Sequence, residues 1–265
     1  MKDEIKSAPK TPRKKASTAT SRSKSGAQST KSRELNFAQW APPTDERVDV
    51  DPENVLAHRV AELVAQETSG QSLEVADIGC GSGALGRLLG ESSPHLQIDG
   101  IDISKSLLAL TEKALRSDGT PCYRDLLDAD LTKPVYFAAN HYDLLVSSGL
   151  FVPRLLGASD LVAMVQTVKA RGRVIVGIDK SHFDNAAFTI VIREAVWDGI
   201  ITEPTYTEVD IFDVNSDRFG EKALIAQFTN NAMNSRPLHT HTSTHWINTI
   251  IVAFYRHFGS FTWLT

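Results

Sequence analysis

Seven residues, Asp77-Ile78-Gly79-Cys80-Gly81-Ser82-Gly83, constrain this chain more than any other stretch. Leu73, Val75 and Ile78 form a short apolar run ahead of the glycines, and Leu85, Leu88 and Leu89 resume at helical spacing behind them. Leu96, Ile98 and Ile101 then supply a second apolar run that ends at Asp102. Strand, glycine turn, helix, strand and acidic tip make half of a nucleotide-binding βαβ unit. Glycines in such a turn let the backbone approach a ligand, because no Cβ stands in the way. A carboxylate at the tip of the second strand can accept hydrogen bonds from both hydroxyls of a ribose, so Asp102 points to a ribose-containing ligand.

Two cofactor classes use this arrangement. Gly81, Gly83 and Gly86 satisfy the G-x-G-x-x-G of a dinucleotide site, with Asp102 roughly 20 residues beyond. Asp77, ahead of the first glycine, separates the two. A pyrophosphate would meet a second negative charge there, whereas the sulfonium and amino group of S-adenosylmethionine are cationic.

With Asp77 to Gly83, and Gly100-Ile101-Asp102-Ile103-Ser104 further on, the chain resembles the class I S-adenosylmethionine-dependent methyltransferases. The resemblance is carried chiefly by residues 73 to 178. It implies a Rossmann-like α/β fold: a seven-stranded, mostly parallel sheet with helices on both faces and an antiparallel last strand. It also implies roles. Gly79, Cys80, Gly81 and Gly83 would line the methionine and ribose part of the cofactor, Asp77 would sit near its amino-acid end, and Asp102, followed by Ile103, would hold the ribose. Asp125 would contact the adenine amino group while the backbone of Leu126 reads the ring edge, with Asp128 and Asp130 as alternates.

The remaining elements follow in order. Leu56, Val60, Leu63 and Val64 predict a helix starting at Asp51 or Asn54, and Ser104 caps a helix through Leu115. Pro121 to Arg124 reads as the third strand, and Tyr142 to Phe151 as a central strand covered on both faces. Ser147, counted among the cofactor contacts, and Ser148, Gly149 and Phe151 should face the reacting methyl group, since ligands sit at the carboxyl tips of such strands. This tip lacks the Asn or Asp followed by two prolines and an aromatic that marks methyltransferases for DNA adenine or protein glutamine. A helix from Ser159 or Asp160 should end at Gly172, followed by a strand over Arg173 to Ile178 and a helix from Asn185 to Trp197. Thr205 to Phe212 predicts the sixth strand, Lys222 to Phe228 a short helix, and Ile247 to Tyr255 the seventh strand.

The chain has 265 residues, and residues 1 to 33 carry ten Lys and Arg against Asp3 and Glu4, a net +8 that leaves −12 for the remainder. That division predicts a disordered basic arm over 1–34 and one methyltransferase domain over 35–265. The arm suits nuclear import or an acidic partner, although nothing else argues against a cytoplasmic protein. The acidic remainder disfavours nucleic acid, and no apolar run reaches the roughly 18 residues of a membrane helix. Only two cysteines occur, which points to a reducing compartment. His239, His241 and His245 have no acidic or cysteine neighbour, so no metal is expected. Trp40, near the domain start, suits a segment folded over the acceptor, and Phe258, Phe261, Trp263 and Leu264 suit packing on the sheet or in a homodimer.

The expected function is methyl transfer by in-line displacement from S-adenosylmethionine to a small organic acceptor, with His182 as a base where the acceptor must lose a proton. The alternatives are a protein or RNA methyltransferase docking through the arm, an NAD(P)-dependent oxidoreductase, and a non-catalytic cofactor-binding module.

Overall fold

The structure is a computed structural model that describes residues 55–133, 139–185 and 187–231. The arm, Phe37, Trp40, the three C-terminal histidines, the strand expected over 247–255 and the apolar chain end lie outside them. Among the described residues no helix is long and apolar enough to cross a membrane.

Seven strands form one sheet: β1 (Glu74–Ile78), β2 (Gln97–Asp102), β3 (Asp125–Asp128), β4 (Tyr142–Phe151), β5 (Val168–Asp179), β6 (Thr205–Asp210) and β7 (Lys222–Thr229). Their spatial order is 3-2-1-4-5-7-6. The first five run parallel, and β7 lies antiparallel to both β5 and β6. The expected α/β architecture is present.

Helices cover both faces. On one side α1 (Val55–Thr68) and α2 (Ala84–Ser92) bury Leu56, Val60, Val64, Leu85 and Leu89 against Val75, Ile98, Leu144, Val146 and Ile175. On the other, α4 (Ala158–Met164) and α6 (Phe188–Trp197) bury Leu161, Met164, Phe188 and Ile192 against Ala76, Ile78, Leu145, Val174 and Val176. Successive residues of one strand thus serve opposite cores, so Leu144, Leu145 and Val146 are apolar without alternation. Two short helices, α3 (Lys105–Thr111) and α5 (Lys180–Asn185), follow the tips of β2 and β5. Ser104 caps α3, its hydroxyl accepting from the Leu107 amide.

Four expectations need correction. Lys222 to Phe228 is no helix but the core of β7. Its Ala223 and Ile225 face one core and Ala226 and Phe228 the other, so no strand alternation is visible, and Lys, Leu and Gln favour helix until pairing with β5 overrides them. The helix expected to end at Gly172 stops at Met164, and Gly172 lies inside β5, where a Cβ would come within 2.9 Å of the Asp143 carbonyl. The helix expected from Asn185 is divided between α5 and α6. The third strand begins at Asp125 instead of ending at Arg124, because Arg124 is anchored at the base of the sheet. Its guanidinium grips Asp99 through Nε (2.9 Å) and Nη2 (2.7 Å), and Nη1 reaches Glu74.

Candidate functional site

The site forms where β1 runs into α2. Gly79, Gly81 and Gly83 have φ of 66°, 56° and 86°, a left-handed conformation that any side chain would strain. The turn is pinned from below and from the side. The amide of Gly79 donates to the Ile101 carbonyl (2.8 Å), that of Gly81 to Asp102 Oδ2 (2.9 Å), and the Thr111 hydroxyl on α3 donates to the Gly81 carbonyl (2.6 Å). Above Gly81 a Cβ would meet nothing nearer than the Gly79 carbonyl at 4.0 Å, so this glycine leaves open space that a ligand can use.

Asp102 is the hinge of the arrangement. Its other oxygen, Oδ1, accepts from the Ser104 amide at 2.8 Å, so one carboxylate joins the glycine turn to the start of α3. Burial pushes its carboxyl above the usual range, against the hydrogen bonds from Ser104 and Gly81. Each carboxylate oxygen keeps a further lone pair for a ligand hydroxyl.

Asp77 lies beneath the turn and is only 1% exposed. The Tyr123 hydroxyl donates to its Oδ2 at 2.7 Å and accepts from the Gly86 amide at 3.1 Å. Burial pushes the Asp77 carboxyl up to about 7, the Tyr123 hydrogen bond works against that, and the charge of Asp102 adds to it. Tyr123 itself fills space left by glycines. A Cβ would lie 2.0 Å from the ring at Gly86, 2.9 Å at Gly100 and 3.3 Å at Gly83. The third glycine of the G-x-G-x-x-G pattern therefore makes room for a tyrosine. Cys80 is buried beside these acids, and burial and their charges hold its thiol far above the ordinary range, so it is no nucleophile.

A cleft opens beside the turn, lined by Gly79, Asp102, Ile103, Asp130, Leu150 and Leu156 among others. It holds about 20 Å³, room for one water, and Leu131, Leu150 and Leu156 form its apolar side. Larger grooves of 530 and 640 Å³ lie elsewhere, between α1 and β6 and along the outer edge of β3.

The structure separates the expected site residues into two groups. Gly79, Asp102 and Ile103 line the cleft, with Cys80, Gly81 and Gly83 in the same turn. Asp125 and Leu126 do not join them. They pair with Asp99 and Gly100 at the start of β3 and line the outer groove, and the Asp125 side chain is 68% exposed. The acid that enters the cleft is Asp130, past the tip of β3. Burial opposes its ionisation, yet hydrogen bonds from the Thr132 amide (3.0 Å) and hydroxyl (2.6 Å), with Lys133 nearby, hold it below the usual carboxylate range. Asp128, the other alternate, pairs with Lys105 at 3.2 Å.

Within β4, just past the Asp77–Val146 pair, Ser147 is wholly buried with no partner for its hydroxyl among the described residues, and Ser148 is partly exposed. Phe151, expected to face an acceptor, is instead fully buried and meets Phe188 edge-on at 6.4 Å. Phe151 lies in the same core as Leu145, as strand alternation requires, and the register shift between β4 and β5 from Ser147 to Phe151 brings Leu150 into that core as well, where it packs over Gly79. His182, on α5, has its amide bound to Asp179 Oδ1 and its Nε2 2.8 Å from the Leu156 carbonyl. A carbonyl only accepts, so Nε2 carries the proton and Nδ1 is left with the lone pair.

Tyr123, Thr111, Leu150 and Leu156 escaped the reading of the sequence. Each acts from an element distant in the chain, and only paired small residues such as Gly86 and Gly100 hint that a large ring is accommodated between them.

A family model described as a methyltransferase domain matches residues 75–173, from β1 into β5. Over 101 residues the chain is 31% identical to malonyl-[acyl-carrier protein] O-methyltransferase of Halalkalibacterium halodurans, covering 36% of this chain and 36% of that protein. It is 26% identical over 101 residues to the protein of the same description from Priestia megaterium, covering 38% and 35%. The matched stretch thus spans about a third of the length of these curated relatives. A solved structure from work on conversion of a disulfide bond into a thioacetal group during echinomycin biosynthesis superposes with a TM-score of 0.52 at 13% identity, over 86% of this chain and 99% of that one. At that identity the likeness speaks to the fold alone.

Proposed function

We propose that this chain, whose residues 75–173 match a methyltransferase-domain model, is a class I S-adenosylmethionine-dependent methyltransferase that transfers a methyl group from that cofactor to a small organic acceptor. The observation that carries the reading is the pair of buried carboxylates around one glycine turn: Asp102 bound to the turn's own amide, and Asp77 below it where a pyrophosphate would be repelled.

When bound, S-adenosylmethionine supplies a methyl group already activated by its sulfonium. The residues that would hold it are Gly79, Cys80, Gly81 and Gly83 by backbone approach, Asp102 and Ile103 at the ribose, Asp77 toward the methionine end and Asp130 toward the adenine. Open space above Gly81 and the free lone pairs of Asp102 fit such a group. Leu131, Leu150 and Leu156 exclude water, which leaves a nucleophile and the methyl carbon to be aligned. Ser147 and Ser148 follow Val146, which pairs with Asp77 at the end of the strand that carries the turn, and are the acceptor-side residues of this reading. Where the acceptor loses a proton, His182 Nδ1 is the group to receive it. The curated relatives match over about a third of their length, so their acyl-carrier acceptor is not transferred to this chain.

Calorimetric titration with S-adenosylmethionine, S-adenosylhomocysteine and NAD(H), in parallel, tests the reading. Binding of the first two without NAD(H) is expected, and binding of NAD(H) alone would overturn it.

Gly81→Val is expected to abolish S-adenosylmethionine binding while the protein stays folded. Its φ of 56° strains a branched residue by roughly 1–3 kcal/mol, yet the added Cβ meets no described atom nearer than the Gly79 carbonyl at 4.0 Å. The same titration, run beside a thermal melt, checks this, and undiminished affinity would remove the turn from the site.

A further inference from the structure

Tyr123 lies just ahead of β3, with its ring in the space left by Gly83, Gly86 and Gly100 and its hydroxyl between Asp77 and Gly86. Simple filling of space would need no hydroxyl here. This one accepts from an amide in the first turn of α2 and donates to a carboxylate on β1, so it links the two elements that flank the glycine turn. The orientation is fixed by chemistry: an amide can only donate, and the hydroxyl proton is thereby directed at Asp77.

We propose that Tyr123 is a positioning residue for the cationic methionine end of the cofactor, its hydroxyl holding Asp77 beneath the turn in the charged form that such a ligand needs. This rests on the methyltransferase reading given above. The groups facing Asp77 are Tyr123 from the segment before β3, Asp102 from the tip of β2, and the Cys80 thiol from the turn. None of them is a cation, so the Tyr123 hydrogen bond is the contact that favours the carboxylate over the acid.

The consequence is a pH dependence with a definite sign. Burial pushes Asp77 up to about 7, so its charged fraction grows as pH rises through neutrality. A cationic ligand prefers the charged form, and its affinity therefore rises from pH 6 to 8. Loss of a hydrogen bond to a charged group moves such a titration upward by about one pH unit. Asp102 is raised by burial as well and would impose its own pH dependence on any ribose-containing ligand. The informative quantity is therefore the affinity for S-adenosylmethionine divided by that for 5′-methylthioadenosine, a neutral nucleoside with the same ribose.

In Tyr123→Phe this ratio is expected to fall about fivefold at pH 7 and to recover to within twofold of wild type at pH 9. A merely structural role would lower both affinities together at every pH. A ratio equal to that of wild type at pH 7 overturns the proposal, as does a loss that persists at pH 9. Should Tyr123→Phe fail to fold, the wild-type ratio must rise between pH 6 and 8 and stay flat in Asp77→Asn, and a flat wild-type ratio overturns it equally. Failure of wild type to bind either nucleoside at any pH would instead sink the methyltransferase reading itself.

Discussion

Gly86→Ala is expected to destabilise the protein by about 3 kcal/mol or more, a fall in melting temperature on the order of 10 °C for a chain of this size. A Cβ at Gly86 would stand 2.0 Å from Cζ of Tyr123 and 2.1 Å from its hydroxyl oxygen, well inside contact distance. The ring cannot retreat, because Gly83 and Gly100 already bring backbone close on other sides and Asp77 holds the hydroxyl. At Gly90, the other glycine of α2, a Cβ would come no nearer than 3.2 Å, to the flexible Arg116 side chain. The double variant Gly86→Ala/Tyr123→Leu supplies the check. Trimming the ring should make the second substitution far less costly than it is alone, and strict additivity of the two melting shifts would mean that the steric account is wrong.

Asp102→Ala ranks next, with a loss of S-adenosylmethionine affinity of about 10- to 100-fold. Two effects combine. The ribose loses its acceptor, and the Gly81 and Ser104 amides lose the oxygens that hold the turn against α3. Buried donors left without partners cost roughly 1–3 kcal/mol each, although removing a buried charge offsets part of this. Asp102→Asn keeps one acceptor oxygen and should fall between the two proteins. Calorimetry on all three decides, and an unchanged dissociation constant for Asp102→Ala would remove Asp102 from the site.

The glycine turn and the two acids around it were legible because their geometry is local. Asp77, the three glycines and Asp102 lie within 26 residues, and each is demanded by backbone conformation or by a strand tip, which residue types announce. Tyr123 was read as an ordinary strand residue, because its partners Asp77 and Gly86 are 46 and 37 residues away. The error over Asp125 has the same origin. An apolar and aromatic run at Pro121 to Tyr123 looks like a strand, yet here Tyr123 fills a core and Arg124 clamps the sheet base, which shifts β3 toward the acids behind it. Phe151 shows the limit of pattern reasoning at a strand tip. Alternation puts it in the core with Leu145, and a register shift after Ser147 brings Leu150 to that same core, which nothing in the residue types marks. The strand at Lys222–Thr229 was hidden by burial on both faces, which removes the alternation that identifies strands.

The ion pairs of Arg124 with Glu74 and Asp99 carry a consequence for how the molecule assembles. They bind together the starts of β1 and β2 and the residue before β3, segments that follow one another closely along the chain. The loops closed in that half are short, and their entropy cost is modest. The seam between β1 and β4 is different: Val75 pairs with Leu144, 69 residues away. A chain that has folded only its first three strands already owns the glycine turn and Asp102, but not Leu150 above Gly79. Closure of that seam is the step that places Leu150 over the glycine turn, so on the proposed reading tight cofactor binding would report completion of the sheet rather than formation of its first half.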